Sequence, residues 1–573
     1  MRILGLSFMY HDSAAALVRD GEVVAAAAEE RFSRKKHSLD FPDQAIAYCL
    51  SEGGMDAQDL DAVVFYEKPL LKFERIMTMH VRAFPGGFDQ FRHAMPLWFK
   101  WKLFIPQWIR DKLGYRKRIL FADHHYAHAA SSFFASGFEQ AAIMTTDGVG
   151  EWATLTRGRG DGNRIHLEDE IRYPHSLGLL YSAVTAFLGF EVNEGEGKVM
   201  GLASYGEPRL FSDMMKEIID VREDGSFRLN MDYFSYHRDV VMYGPRFIER
   251  FGPPRAPEAA ITRRDEDLAA SLQKVVEEVC IRIARGLHDR TRPPNICVAG
   301  GVGLNSIMNR KLLQHTDFRN IFIQPAAGDD GGALGAALFA YHQYFGHDRR
   351  WSMKNAYLGP ASRSQDIRRY LEARKIAYRH YPDFPELARR VAGDLQRGRI
   401  VGWYQGRMEF GPRALGNRSI LANPTLPDMK DILNKRVKHR EGFRPFAPSV
   451  LLEHCGDYFD LDVESPYMLL VADVRPDKRS RVPAVTHIDG TARVQTVTKG
   501  QNPRFHELIE KFYDLSGVPM VLNTSFNVRG EPIVCDHHDA TECFLNCGMD
   551  ALVLGDYYVS KRAAETAAGH PQG

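Results

Sequence analysis

The chain has 573 residues, 44% apolar and 26% charged, with 74 Lys or Arg against 73 Asp or Glu and a net charge of +1. That length exceeds what one hydrophobic core sustains, so two or more domains are expected, and the neutral balance gives no global pull toward nucleic acid or an anionic membrane. Seven scattered cysteines without a C-x-x-C pair argue against a disulfide framework or a thiolate zinc site; together with a strand-like start and no signal-peptide pattern, they point to a reducing, cytoplasmic setting.

In chain order, residues 2–30 read as strand, a polar turn at Tyr10-His11-Asp12-Ser13, strand, an Asp20-Gly21 hairpin and strand. Residues 94–109 are rich in aromatics, but Pro96, Lys100, Lys102 and Pro106 interrupt a run already too short to span a bilayer. Trp98, Trp101, Ile105 and Trp108 fall near helical spacing. The segment therefore reads as a lid over an acceptor site, a patch that touches a lipid-bearing substrate, or an insertion packed on its own domain. Next, Asp-His-His-Tyr-Ala-His at 123–128 runs into an expected helix, Tyr126 to Phe134. Side chains four apart share a helical face with Cβ atoms about 5–6 Å apart, so His124 and His128 can converge on one metal ion.

Residues 141–171 repeat the grammar of residues 2–30, with Asp147-Gly148-Val149-Gly150 as the first turn. Two such meanders, each followed by helical patterns, describe a duplicated α/β architecture of the actin/hexokinase-like ATPase kind. In that fold the two first turns face one another across a nucleotide cleft. Asn295–Asn305 is a short apolar strand running into glycines and a helix, where backbone N–H groups can approach a phosphate or ribose. The pair Asp329-Asp330 follows in another Gly-flanked turn, and either aspartate can reach a metal. Two imidazoles with Asp147 and Asp329 suit a borderline divalent ion such as iron(II), manganese or zinc better than calcium. Histidines merely packed or capped on a half-buried helix are the plainer alternative.

A polar linker after Tyr341 places a domain boundary at 358. Residues 359–573 alternate helices (Gln365 to Arg374, Phe384 to Arg397) with strands (Ile400 to Tyr404, Val518 to Leu522, Ala551 to Leu554), a second α/β domain whose small, polar tail from about 563 reads as disordered. Between 401 and 450 stand nine Lys or Arg against four Asp or Glu, a local excess of five. Arg413, Arg418, Lys438 and Arg440 lie among Gly, Pro and apolar residues, as an anionic small-molecule pocket requires. Arg493 and the run Ser525, Asn527, Arg529 occupy further apparent strand ends where loops converge.

Eight motifs occur in order: His11-Asp-Ser-Ala-Ala-Ala-Leu, Glu29-Glu-Arg-Phe-Ser-Arg-Lys-Lys-His, Asp123-His-His-Tyr-Ala-His-Ala, Glu196-Gly-Lys-Val-Met-Gly-Leu-Ala, Gly300-Gly-Val-Gly-Leu-Asn, Gly328-Asp-Asp-Gly-Gly-Ala-Leu-Gly, Glu409-Phe-Gly-Pro-Arg-Ala-Leu-Gly-Asn-Arg-Ser and Leu522-Asn-Thr-Ser-Phe-Asn. With them the chain resembles the NodU/CmcH-type O-carbamoyltransferases over nearly its whole length. The resemblance implies an N-terminal domain like the one that transfers threonylcarbamoyl to tRNA and a C-terminal YrdC-like domain. The YrdC-like Lys-x-Arg and Ser-x-Asn signatures would be Lys438-His-Arg440 and Ser525-Phe-Asn527.

It further implies that carbamoyl phosphate and ATP yield carbamoyl-adenylate in the second domain, with Arg413, Arg418, Lys438, Arg440, Arg493, Ser525, Asn527 and Arg529 around the phosphates. In the first domain the carbamoyl group would pass to a hydroxyl of a small-molecule acceptor, a natural product or saccharide. There Gly148, Gly301, Gly303, Asn305 and Asp330 would hold the adenylate, His124, His128, Asp147 and Asp329 an iron(II), and His11 would act as general base. The choice of Asp329 over Asp330 as ligand rests on this resemblance. A sugar-kinase-like phosphotransferase, which would release ADP, is one alternative. A tRNA threonylcarbamoyl-transfer enzyme is the other, disfavoured by the missing basic balance.

Overall fold

The computed structural model describes residues 1–84 and 86–561, so the tail expected from 563 lies outside the described residues. The chain divides into two compact units, Met1–Ala26 with Leu39–Met353, and Ala27–Ser38 with Lys354 onward. The boundary drawn at 358 anticipates no such excursion of residues 27–38. Within the second unit, Arg31 of that segment donates to the carbonyl of Gly411 at 2.8 Å and Arg34 to that of Ile533 at 2.7 Å.

Two five-stranded mixed sheets build the first unit. One holds β1 (Arg2–Ser7), β2 (Ala14–Arg19), β3 (Glu22–Ala28), β4 (Ala62–Phe65) and β5 (Arg118–Phe121) in the order β3-β2-β1-β4-β5. The other holds β6 (Gln140–Thr146), β7 (Ala153–Asp161) and β8 (Arg164–Arg172); after a small hairpin of β9 (Ile219–Val221) and β10 (Phe227–Leu229) it is completed by β11 (Asn295–Ala299) and β12 (Asn320–Ile323), in the order β8-β7-β6-β11-β12. In both sheets the first strand is central, antiparallel to its hairpin partner and parallel to the later strand on its other side. The weak sequence repeat is thus a repeat of strand order. Residues such as Ile3, Leu4, Ile143 and Val298 are buried, as expected of strands covered on both faces.

Two helices that pack on each other and on these sheets carry the candidate metal ligands: His124–Ser136 and Asp329–Phe339. Their approach depends on glycine. A Cβ on Gly335 would stand 1.8 Å from the carbonyl oxygen of Ala127, and one on Gly5 of β1 would stand 1.9 Å from that of Ala333. Asp329 and Asp330 therefore open a helix rather than sit in a turn, and the histidine helix begins at His124, two residues before the expected start. The aromatic segment forms the helices Phe88–Lys100 and Ile105–Leu113, following Pro69–Ala83. Trp98 and Ile105 point inward, with the Trp98 ring 5.4 Å from Phe73 and 6.0 Å from Tyr10, whereas Trp101 is exposed. No helix among the described residues is long and apolar enough to cross a membrane.

A ten-stranded mixed sheet organises the second unit, with Val401–Tyr404, Arg418–Ala422, Met520–Ser525, Ala447–Leu451 and Thr491–Val497 side by side in its middle. Helices Phe384–Gln396 and Pro503–Ser516 bury Leu387, Val391, Phe505 and Phe512 against Trp403 and Val521. The strand ends and the loops leaving them carry the basic residues singled out above.

Candidate functional site

His124 and His128, one turn apart on a buried helix, bring their Nε2 atoms within 3.1 Å of each other. Asp147 follows β6 and presents Oδ2 at 3.0 Å from His124 Nε2 and 3.9 Å from His128 Nε2. Asp329 presents Oδ1 at 3.8 and 3.6 Å from the same two nitrogens. Ligands about 2.0–2.2 Å from one tetrahedral ion stand about 3.3–3.6 Å from one another, so these separations bracket a cation site. Charge points the same way: burial opposes ionisation of Asp147, yet the hydrogen bond from His124, the two imidazoles and the Gly301 N–H hold its carboxyl well below the usual range. Burial likewise opposes charge on His124, but Asp329, Asp147 and Glu67 raise its pKa well above the ordinary imidazole value. Buried carboxylates around two imidazoles thus draw positive charge into the cluster, and a divalent ion would supply it.

Side chains that no sequence motif singles out hold these donors in place. Tyr66 donates its hydroxyl to Asp329 Oδ2 at 2.9 Å. Glu67 is fully buried, 2.7 Å from Lys72 Nζ and 3.6 Å from His124 Nδ1; burial works against its charge, but Lys72 and His124 keep its pKa at about 2. Such a carboxylate behind a ligating imidazole orients the ring. Glu151 accepts the backbone N–H groups of Lys68 at 2.8 Å and His124 at 3.0 Å, fixing the start of the histidine helix. The signal for Glu67 is its place directly after the buried strand β4, at Phe65-Tyr66-Glu67. His125 lies off the cluster, bonded to Thr145 Oγ1 at 2.6 Å and the Ala153 carbonyl at 2.9 Å.

His11, in the first turn of the first sheet, has Nδ1 2.6 Å from Asp12 Oδ2. Burial disfavours its charge, but Asp12, then Asp329 and Asp147, outweigh that and raise its pKa to about 9. Asp12, with φ 43°, also faces the N-terminus of the Asp329 helix, since its Oδ2 would be 3.7 Å from a Cβ on Gly328, as Asp330 Oδ1 would be at 3.4 Å. The glycine-rich turn is bonded to its own neighbours. Gly301 spends its N–H on Asp147 Oδ1 at 2.9 Å and Gly303 on the Gly300 carbonyl at 2.8 Å. Asn305 caps the helix Ser306–His315 through Met308 N and pairs with Gln273 on both sides of its amide. The N–H groups of Gly301 and Gly303 and the amide of Asn305 thus shape the turn; Gly301, like Gly148 and Asp330, stays partly exposed, whereas Gly303 and Asn305 are buried.

In the second unit, buried Lys438 donates from Nζ to Asn527 Oδ1 at 2.7 Å, to the carbonyls of Ser525 at 2.8 Å and Asn527 at 2.9 Å, and to Ser525 Oγ at 3.2 Å. Burial, then Arg440, push its pKa well down. Arg413, Arg440 and Arg493 gather with Arg444, a fourth arginine not singled out in the sequence. Burial, then Arg444, lower Arg413 to about 10 and Arg440 to about 9; Arg493 is pushed well down by burial, then by Arg413, Arg440 and Arg444. Among the described residues no carboxylate pairs with Arg413, Arg440 or Arg493, and the Nε atoms of Arg413 and Arg493 are buried without a hydrogen-bond partner. Arg444 itself lies 3.9 Å from Glu441; guanidiniums such as the other three, gathered without a paired acid, can take up a multiply charged anion.

Arg418 does not join them. Fully buried, it stacks 3.7 Å from the Tyr404 ring centroid and donates to the carbonyls of Cys535, Gln405, Gly406, Asn417 and Pro360, so its fork is used in holding loops together. Arg529 is exposed on the turn beyond Asn527.

Residues 2–338 match the family described as carbamoyltransferase N-terminus, and residues 392–561 the one described as carbamoyltransferase C-terminus. The chain is 47% identical to protein sll1178 of Synechocystis sp., over 98% of this chain and 97% of that one. It is 38% identical to nodulation protein NolNO of Sinorhizobium fredii, over 97% of this chain and 79% of the relative. With the 3'-hydroxymethylcephem-O-carbamoyltransferase of Amycolatopsis lactamdurans it shares 32% identity over 64% of this chain and 65% of the relative.

Proposed function

The chain belongs to the carbamoyltransferase family, and on that premise we propose that it is an ATP-dependent O-carbamoyltransferase with one reaction site in each unit. In the second unit, which we read as YrdC-like, water cleaves carbamoyl phosphate to carbamate and phosphate. A carbamate oxygen then attacks the α-phosphorus of ATP, the bond to the outer phosphates breaks, and carbamoyl-adenylate and pyrophosphate form. Lys438, aligned by Ser525 and Asn527, with Arg413, Arg440, Arg444 and Arg493, offsets the charge that accumulates on the phosphates. The observation that carries this reading is that Arg413, Arg440 and Arg493, half-buried and close enough to depress one another's pKa, pair with no carboxylate among the described residues.

In the first unit, read as an actin/hexokinase-like domain, a hydroxyl oxygen of the acceptor attacks the carbamoyl carbon and AMP leaves. His11, with Asp12 on Nδ1, accepts the hydroxyl proton. Gly148 and Asp330 contact the adenylate. A divalent cation held by His124, His128, Asp147 and Asp329, iron(II) by resemblance to the family, would polarise the adenylate and neutralise two of the carboxylates that keep His11 protonated. The named activity of the Amycolatopsis relative supports a small-molecule hydroxyl as acceptor. The test is incubation of metal-loaded protein with carbamoyl phosphate and ATP while following pyrophosphate. Carbamoyl-phosphate-dependent pyrophosphate is expected; its absence, with ADP formed instead, would favour a phosphotransferase on the same fold.

A further inference from the structure

Helices Pro69–Ala83, Phe88–Lys100 and Ile105–Leu113 of the first unit are apolar on two sides. Their inner side buries Trp98, Ile105 and Ile109. On the outer side Phe84 is 74% exposed, Phe88 60% and Phe99 58%, with Leu70, Val81 and Phe104 more exposed than buried. Single exposed apolar residues are ordinary on a protein surface; a concentration of them marks a contact site. Among the described residues, nine of the sixteen large exposed apolar side chains lie between Pro69 and Leu113. The turn between the first two helices enlarges the face, because Gly87 lies against the Arg238 backbone, 3.3 Å from a built Cβ to the carbonyl oxygen. That contact sets the loop bearing Val240, 81% exposed, and Val241 beside the turn that carries Phe84 and Phe88.

Charge narrows the choice of occupant. Between residues 69 and 113 there are eight Lys or Arg against three Asp or Glu; Lys72 and Arg75 are buried and Lys102 lies over the Tyr10 ring, which leaves five basic side chains exposed and the face with a basic excess. Arg82, Lys100 and Arg110 are among the exposed ones. A second copy docking through the same face would set this excess against itself, because a twofold contact opposes identical patches. Aromatic and aliphatic side chains interspersed with Lys and Arg on short helices suit a surface that is apolar beneath and negative at its boundary. These helices are too short and too charged to cross a bilayer, so they would lie in its interface.

We propose that this face docks the protein peripherally on an anionic lipid membrane, with Phe84, Phe88 and Val240 entering the headgroup boundary and the exposed Lys and Arg lying over the headgroups. The contact is independent of the reaction assigned above. It is tested by flotation of the full chain with vesicles of phosphatidylcholine alone and of phosphatidylcholine mixed with phosphatidylglycerol. The protein is expected to float with the mixed vesicles, to stay behind with the neutral ones, and to be released by high salt. The double substitution Phe84→Ser with Phe88→Ser should lower partitioning at least about tenfold by removing two inserting rings. Arg82→Gln and Lys100→Gln should each lower it about fivefold. Because these side chains are exposed, the melting temperature should not move. Equal flotation of wild type and the Phe variant, or no flotation at low salt, would overturn the proposal. So would a dimer in sedimentation that the Phe variant abolishes, since the face would then belong to a second copy.

Discussion

Replacing Arg413 with Gln should stabilise the protein in the absence of phosphate while weakening its response to phosphate. This guanidinium has no ion pair among the described residues, and burial with Arg444 lowers its pKa by roughly two to three units, to about 10. At about 1.36 kcal/mol per pKa unit the step corresponds to roughly 3 kcal/mol against the charged form. Below pH 10 the group is charged in both the folded and the unfolded chain, so that cost is carried in full at neutral pH. The side chain keeps some exposure, which screens the repulsion, and Gln forfeits packing; a net gain of about 1–2 kcal/mol remains. For a unit of this size each kcal/mol moves the melting temperature by about 2–4 °C. Scanning calorimetry in phosphate-free buffer, followed by a titration with inorganic phosphate, reads both effects. A variant that melts lower than wild type without phosphate, and gains as much on adding it, would show that protein groups already hold Arg413 and that the arginine cluster is not an anion site.

Lys438→Ala should reduce carbamoyl-phosphate-dependent pyrophosphate release by about 10²–10³ while sparing transfer from supplied carbamoyl-adenylate; equal loss of both would contradict the division of labour between the units. His128→Ala should do the reverse and empty the metal site by elemental analysis, and retained metal with normal transfer would remove His128 from the ligand set. Arg418→Met removes the side-chain donor from five carbonyls, of which those of Asn417 and Pro360 keep a backbone N–H and those of Cys535, Gln405 and Gly406 lose their donor; it should cost about 3–5 kcal/mol, seen as a large drop in melting temperature, and an unchanged melt would refute its structural assignment. Burial holds His342 at about 4, below its ordinary 6.5. Its contribution is therefore present above pH 6.5 and lost as pH falls through 4, about 3 kcal/mol in all, so His342→Gln should flatten the acid side of the stability profile.

The legible parts of this chain are local ones. Strand meanders announce themselves by alternation and turn residues, and the spacing of His124 and His128 follows from helical pitch alone. Three of the four candidate donors can therefore be read from the chain itself, whereas the choice of Asp329 over Asp330 comes from resemblance to the family. Glu151 cannot be read this way, and Glu67 offers only its place directly after β4, because neither belongs to a periodic pattern with His124 and each reaches it only after β4 and β6 have found their places. The outward face of the aromatic helices is half legible: spacing predicts amphipathicity, but not that both sides are apolar and only one covered.

By itself, then, the sequence determined which short segments form strands and helices and where histidine, aspartate and arginine gather, since those follow from nearest-neighbour sterics and from periods of two and 3.6 residues. Tertiary structure decided which of the gathered residues are available. Arg413, Arg440 and Arg493 gather without a paired acid, Arg440 giving part of its fork to Asn434 and Pro445, while Arg418 from the same run spends its whole fork on carbonyls; Gly301 and Gly303 use their N–H groups to build a turn whose composition alone suggests an open ligand cradle. Whether a donor is spent inside the protein depends on which acceptor lies within about 3 Å of it, and that is settled by packing between segments far apart in the chain.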